Sequence, residues 1–454
     1  MIIIYKQCFS VVLLLIVILS SMAYGNEIVE ITYVGWADAS HNQPQEVRTA
    51  AFEASHPNIK VNYIFIPEEE YNDRLAAMAV AGEFPDVFWI NNLPAYLKNG
   101  WVEDITTFIE NDHTFNSELF FGNTLEAGMA RDRYFGLPFQ LQAAYLMVNL
   151  ETLDYFGLRM PPADWTYEDL WNICMRMNRP DQNYYGMEDP WVFWAHMIPG
   201  FSEKVTWDGL SLDGTEFLLD DAEVIEGFKW ALAFERYNSA VSLGLTERGI
   251  PTPWNHPRFI DAFGNASPWD QSKAAFHVSH SWMLTWFYEN AVVPYDVIPY
   301  PSGPVRQVTP LIVDTLGISP VSKHKEAAFA FVRWMSYDKQ GWLDRMEVER
   351  PAPFCMPTIK EPDVWEAYLS GDYIPPGMHN VVATLDGGLF EPNRTTPGIP
   401  EVWDVVGPAR DQIRTGAAEY DDLFPIIVKQ QTDYIFKESR KEYEAVLDGL
   451  LGNE

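Results

Sequence analysis

Residues 28–35 (IVEITYVG) alternate polar and apolar positions and are rich in β-branched side chains, the period-two signature of a strand. Asn42 to His56 reads as a helix whose changing faces are marked by Glu46, Phe52 and Glu53; Pro57-Asn58 stops it. Ile59 to Phe65 (IKVNYIF) is a second alternating strand. Tyr71 to Ala81 reads as a helix closed by Gly82, and Asp86 to Ile90 (DVFWI) as a continuous apolar strand. This strand–helix–strand–helix–strand order predicts an α/β domain with a largely parallel sheet. In such sheets ligands bind beyond the carboxyl ends of the strands. The residues at those ends are Trp36, Asp38, Trp89, Asn91 and Asn92.

A second part begins near Tyr134–Phe139, with a strand expected at Ala143–Val148. Helical periodicity covers Tyr167–Met177, Ala222–Tyr237, Ala327–Tyr337 and Asp421–Leu447. Strand-like pieces lie at Ala274–Val278, Tyr295–Ile298 and Leu311–Ile318. Gly249–Trp269, rich in Pro, Asn and aromatics, reads as an ordered surface loop. There is no internal repeat and no low-complexity tract.

The N-terminus follows a different pattern. Lys6 precedes an apolar run, Val11–Leu19, and Ala23-Tyr24-Gly25 supplies small residues at a cleavage position. The run from Phe9 to Ala23 is roughly 15 residues, short of the ~20 needed to span a bilayer. Residues 1–25 are therefore expected to be a signal peptide, leaving a soluble exported protein, periplasmic or otherwise. Cys8 lies too early for a lipid anchor.

Composition narrows the function. The 454 residues carry 64 Asp+Glu against 31 Lys+Arg, a net charge of −33. Such a polyanion repels nucleic acid and anionic lipid. A content of 47% apolar and 15% aromatic residues supports a large core rather than disorder, and the length suits about two domains. Export leaves Cys174 and Cys355 as the only thiols, and whether they pair is open.

An ordered series of pieces then carries a family resemblance. It runs through Phe52–Val61 (FEASHPNIKV), Leu75–Trp89 (LAAMAVAGEFPDVFW), Gly100–Ile105 (GWVEDI) and Gly136-Leu137-Pro138-Phe139. It continues through Asn149, Trp165–Leu170 (WTYEDL), Ala274–Trp282 (AAFHVSHSW) and Gly317–Ala328 (GISPVSKHKEAA). In order and spacing these resemble the extracellular solute-binding proteins of bacterial ABC importers, the family containing maltose/maltodextrin-binding protein. The resemblance implies an α/β, two-lobed periplasmic-binding-protein fold (type II-like), with a ligand cleft between lobes joined by hinge crossings. On that pattern 26–138 and 317–352 form the N-terminal lobe, and 139–316 and 353–454 the C-terminal lobe. Crossings fall near 136–142, 312–317 and 352–357, and the lobes close on ligand by a hinge.

The implied ligand is a carbohydrate, an oligosaccharide by expectation, passed by a monomer to membrane permease subunits. Sugars present apolar CH faces and rings of hydroxyls, which aromatic plates and convergent polar groups answer. The resemblance places Trp36 and Asp38 after the first strand, Trp89 and Asn91 after the third, and Gln142 at the first crossing, where maltodextrin-binding proteins carry Glu. It places Trp191 in an acidic-Pro-aromatic piece, Trp282 at the end of a late strand, Asp314 at the second crossing and Trp403 before a late helix. Trp254, Asn255, Glu391 and Arg394 are weaker rim candidates. Each has a plainer reading: Asp38 as a cap or turn residue, the Trp residues as core, four or five of the 17 lining the cleft.

No catalytic or metal residue is assigned, and no cofactor is expected. His277 and His280, three apart on a strand, face opposite sides and cannot share a metal. HExxH, GxSxG and P-loop motifs are absent. Glu68-Glu69-Glu70 reads as a solvated helix start, and the sequons at Asn265 and Asn393 as chance. The alternative is an exported carbohydrate-active hydrolase or lyase, which export, acidity and abundant Trp also fit; a third keeps the fold and exchanges the sugar for a polyamine or another cation.

Overall fold

The computed structural model describes residues 28–36, 42–190, 192–240, 257–349, 353–414 and 416–452. The expected signal peptide, and the candidates Asp38, Trp191, Trp254 and Asn255, lie outside the described residues.

Eleven strands are described: β1 (Val29–Trp36), β2 (Ile59–Ile66), β3 (Val87–Ile90), β4 (Met129–Ala130), β5 (Arg133–Tyr134), β6 (Gly136–Asn149), β7 (Tyr185–Met187), β8 (Ala274–His280), β9 (Tyr295–Ile298), β10 (Pro310–Ile318) and β11 (Leu389–Phe390). β2, β1 and β3 pair in parallel, as the opening pattern predicts. Beyond β3 the sheet becomes mixed. β10 runs antiparallel to both β3 and β6, and β6 continues antiparallel to β8 and β9. The helix Asn42–Ser55 follows β1, and Tyr71–Ala81, ended by Gly82 in the left-handed region, precedes β3. A φ of 73° at Gly82 is open to glycine without steric cost.

The strand expected at 143–148 is longer than its hydrophobic run. Residues 136–143 add to it because they find a partner in β10, with Gly136 against Gly317 and Ala143 against Leu311. Pro138 pairs with Thr315 and Gln140 with Asp314, so Phe139 is the extra residue of a bulge. Proline has no N–H to give to a ladder, and a bulge is where a sheet tolerates it. Leu141 also exchanges backbone hydrogen bonds with Met356, at 2.9 and 3.3 Å. Three segments therefore run side by side through the middle of the molecule.

The molecule is a two-lobed mixed α/β structure, and its core follows from the strand period. Along β6, Leu141, Ala143, Tyr145 and Met147 enter one apolar cluster, while Ala144, Leu146 and Val148 enter another. The first cluster fills the β1–β3 half and continues under 355–385. The second lies among the helices Tyr167–Met177, Ala222–Asn238 and Ile399–Arg414. The final helix, Lys429–Leu451, joins the two: Phe436 is in the second cluster and Leu447 in the first. Its far end binds the first half through Glu442–Lys98 at 3.0 Å and Asp448–Arg131 at 2.7 Å.

Two local expectations change. The described part of the presumed 249–269 loop contains a helix, Pro257–Phe263, whose Phe259 and Phe263 pack with Tyr185 and Ala240. The 421–447 helix is interrupted by a π turn, Phe424–Val428, which carries Pro425. Cys174 and Cys355 are both free and buried, in different clusters.

Candidate functional site

A cavity of about 330 Å³ opens over the middle of β6 and β10. Gln140, Gln142, Ile312 and Asp314 form its floor. The register sets Gln142 against Ile312 and Gln140 against Asp314, so period two puts all four on one face. Trp36, Trp89 and Glu68 line it from the first half. Trp282, Phe354, Glu391 and Arg394 line it from the rest of the chain.

Each tryptophan is placed by a strand end. Trp36 is the last residue of β1, and Trp89 lies near the end of β3. The Tyr71 hydroxyl accepts the Trp89 backbone N–H and donates to the Trp89 carbonyl, both at 3.0 Å, which fixes that end. The two indoles meet edge to face at 5.5 Å. Trp89 donates its ring N–H to the Tyr33 hydroxyl, whereas the Trp36 ring N–H is buried without a partner. Trp282 follows β8 in the short turn Ser281–Met283 and stacks on His280, with ring centres 4.1 Å apart and planes 10° from parallel. Burial, with His277 nearby, pushes the His280 imidazole down to about 3, so it is neutral against the indole across the physiological range. Ser281 donates to the Gln142 side-chain amide oxygen at 2.5 Å and ties this turn to the floor.

Below the floor runs a chain of buried polar groups. Arg48 grips Glu349 with two hydrogen bonds, 2.6 and 2.7 Å, and gives a third to Gln140. Gln140 donates to Asp314 at 3.1 Å; Asp314 accepts from Arg394, which also binds Glu391 at 2.7 Å. Burial alone would raise the Glu349 carboxyl, but Arg48, Arg345 and the Phe354 N–H together outweigh it and hold it below its usual range. Burial opposes the Arg394 charge, and Asp314 and Glu391 restore it, raising the guanidinium above its ordinary value. Arg394 also lies 5.7 Å from the Trp36 ring centre, a cation–π contact across the cavity. Arg345 binds Glu349 at 3.2 Å and the Cys355 sulfur at 3.0 Å.

The structure thus brings together Trp36, Trp89, Gln142, Trp282 and Asp314, with the rim candidates Glu391 and Arg394. It sets Asn91 and Trp403 outside the lining. Asn91 accepts the Tyr96 hydroxyl at 2.8 Å. Trp403 donates to Asn393 at 3.1 Å and packs on the second cluster. Sequence reasoning passed over Gln140, Ile312, Phe354 and Glu68. Gln140 carried a signal, since it stands two residues before Gln142 on a strand. Glu68, read as part of a solvated run, is exposed and stands at the cavity. Among the described residues three carboxylates and one guanidinium line the site, and that guanidinium is bound to two of the carboxylates. The lining suits a neutral, hydroxyl-rich, flat-faced ligand.

The model of the bacterial extracellular solute-binding protein family matches residues 39–342. The chain belongs to that family. Its members are substrate-binding proteins of ABC transporters rather than enzymes, and the two-lobed architecture is theirs. A binding protein of Brucella abortus is 23% identical over 389 residues, covering 83% of this chain and 86% of its own. The mannitol-binding protein of Pseudomonas aeruginosa is 29% identical over 140 residues, 30% of this chain and 31% of its own. Among solved structures, a Listeria monocytogenes ABC substrate-binding protein in complex with cycloalternan superposes with a TM-score of 0.70. It shares 19% identity and covers 91% of this chain and 100% of its own, a likeness of fold. Among the described residues no helix is long and apolar enough to cross a membrane.

Proposed function

We propose that this family member captures a neutral carbohydrate in the cavity between Trp36/Trp89 and Trp282 and hands it to a membrane permease. The observation that carries the reading is the convergence of three strand-end indoles on one cavity whose floor is made of amides and a carboxylate. The indoles cover sugar CH faces; Gln142, Asp314 and Glu391 meet hydroxyls. The described lining disfavours uronates and other anionic sugars, because the Arg394 guanidinium is engaged by Asp314 and Glu391. The structural relative from Listeria is in complex with cycloalternan, and an oligosaccharide is the first reading. A second reading, a single sugar or polyol, is favoured by the cavity volume of about 330 Å³, near the lower end for ligand sites. Residues 1–25 act as an export signal in this account, and the chain works as a monomer. The polypeptide divides between lobes as 26–138 with 317–352 and 139–316 with 353–454, except that 355–385 packs in the first lobe's cluster and the tip of the last helix reaches across to it.

A thermal-shift screen against neutral mono- and oligosaccharides, polyols and uronates tests the reading. A neutral carbohydrate is expected to raise Tm, as ligand binding to the native state must. Incubation of that ligand should give no new reducing ends. Stabilisation by uronates alone, or steady turnover, contradicts the proposal.

A further inference from the structure

The two amides of the cavity floor are not equivalent. Gln140 is fully buried, and both ends of its side chain are taken: its oxygen accepts from Arg48, and its nitrogen donates to Asp314 at 3.1 Å. Gln142 is also nearly buried, but its two ends meet different surroundings. Its oxygen faces Ser281, which is buried and is not among the residues that line the cavity. Its nitrogen faces the backbone oxygen of Phe354, a half-buried residue that does line the cavity. The nitrogen end of Gln142 therefore lies toward the cavity.

Which end is nitrogen follows from a short relay. The Ala143 backbone N–H donates to the Ser281 hydroxyl at 3.1 Å, and Ser281 donates to the Gln142 oxygen at 2.5 Å. The Gln142 nitrogen then donates to the Phe354 carbonyl at 3.4 Å. A backbone N–H can only donate and a backbone carbonyl can only accept, so every hydrogen bond between them runs one way. Both ends are anchored. Ala143 stands opposite Leu311 in the sheet, and Met356, two residues after Phe354, is bonded to Leu141. A flipped amide would set its oxygen against the Phe354 oxygen, acceptor against acceptor. It would also leave the buried Ser281 hydroxyl hydrogen without an acceptor. An amide nitrogen carries two hydrogens; one goes to Phe354, and the other is what Gln142 can give to a bound molecule.

We infer, on the carbohydrate reading of this cavity, that Gln142 meets the sugar only as a hydrogen-bond donor and that Ser281 is the positioning residue that holds it so. Ser281 and Trp282 are neighbours in one turn, so the same piece of backbone sets the stacking plate and the donor. The ring on Trp282 must then place an acceptor oxygen, hydroxyl or ether, at Gln142. A deoxy position there leaves the N–H unmet, and a protonated amine sets donor against donor. Asp314 and Glu391 supply the opposite sense, carboxylate oxygens that only accept.

D-glucose, D-mannitol, maltose and maltotriose are screened by thermal shift on the full-length protein, and the one that raises Tm most is titrated calorimetrically. Gln142→Glu exchanges the amide nitrogen for an oxygen at constant size and so reverses the sense of the contact. It should weaken binding at least about tenfold. Ser281→Ala should weaken it about threefold in the wild type and add nothing in a Gln142→Leu background, because Ser281 acts through that amide. A merely structural serine would cost the same in both backgrounds. Affinity kept or gained in Gln142→Glu makes Gln142 an acceptor and overturns the inference. So does wild-type affinity in Ser281→Ala, or an equal loss in the two backgrounds. If Gln142→Glu does not fold, the Ser281→Ala cycle decides alone. A Tm rise in the wild type with any of these contrary results sinks the donor assignment and spares the proposed function. No Tm rise with any of the four compounds counts against that function and overturns the inference with it.

Discussion

Strand β6 is buried along all fourteen of its residues, yet its two halves do different work. From Ala144 to Asn149 it pairs with β8 and β9, and Leu146 and Val148 on one face and Tyr145 and Met147 on the other are apolar. From Gly136 to Ala143 it pairs with β10, and one face carries Gln140 and Gln142. Burying an amide costs free energy unless its polar atoms are hydrogen-bonded. Gln140 is met by Arg48 and Asp314, and Gln142 by Ser281 and Phe354. The polar half of a buried strand is thus the floor of the cavity, held rigid by a network, and the apolar half is ordinary core. Removing groups from each half should break different properties.

The largest effect is expected from the network. Glu349→Ala leaves Arg48 and Arg345, both fully buried, without their carboxylate. Stability should fall by about 3–5 kcal/mol, read by urea denaturation. A loss below ~1 kcal/mol would mean that the network is not what sets the floor. Next is the apolar half. Leu146→Ala opens a hole in the second cluster and should cost about 3 kcal/mol, with the sugar affinity of the folded protein unchanged. A large affinity loss there would erase the distinction between the halves.

Gln142→Leu is the smaller, converse change. It should weaken sugar binding about tenfold, ~1.4 kcal/mol, by calorimetric titration, and alter stability by less than that. Unchanged binding would reduce the floor to scaffold.

Asp208 sharpens the comparison from outside the site. It sits at φ 57° beside Arg410, and burial raises its carboxyl to about 7 against an ordinary 3.8. The folded state therefore holds a proton that the unfolded state has released between those values. Stability from this group is present at low pH and is lost as pH rises through that window. Asp208→Asn, which suits the left-handed backbone, should add up to about 4 kcal/mol of stability at pH 8 and little at pH 4. Sugar affinity should not move. A stability gain independent of pH would place the effect elsewhere.

Much of this was legible in the sequence because the strands keep their period. Tyr71–Ala81, Tyr167–Met177 and Tyr295–Ile298 fall where the pattern places them. Trp36 and Trp89 follow from the rule that ligands meet strand ends, and Trp282 from the family resemblance. Gln140 follows from Gln142 by the same period that made the strand. Other parts carry no local signal. The reach of β6 back to Gly136 depends on a partner more than 160 residues away. Glu391 and Arg394 stand in a short 3-10 turn with no periodicity to orient them. Asn91 and Trp403 show the limit of position alone. Both sit beside the expected places, but Tyr96 and Asn393 take up their polar atoms.

The central claim is that stacking on Trp282 holds the carbohydrate. Isothermal titration of the sugar found by thermal shift, into wild type and Trp282→Ala, tests it most directly. Loss of one exposed-edge indole should weaken binding about 100-fold, near 2.7 kcal/mol, while the Tm of the unliganded protein stays within a few degrees. Wild-type affinity in Trp282→Ala would contradict the account.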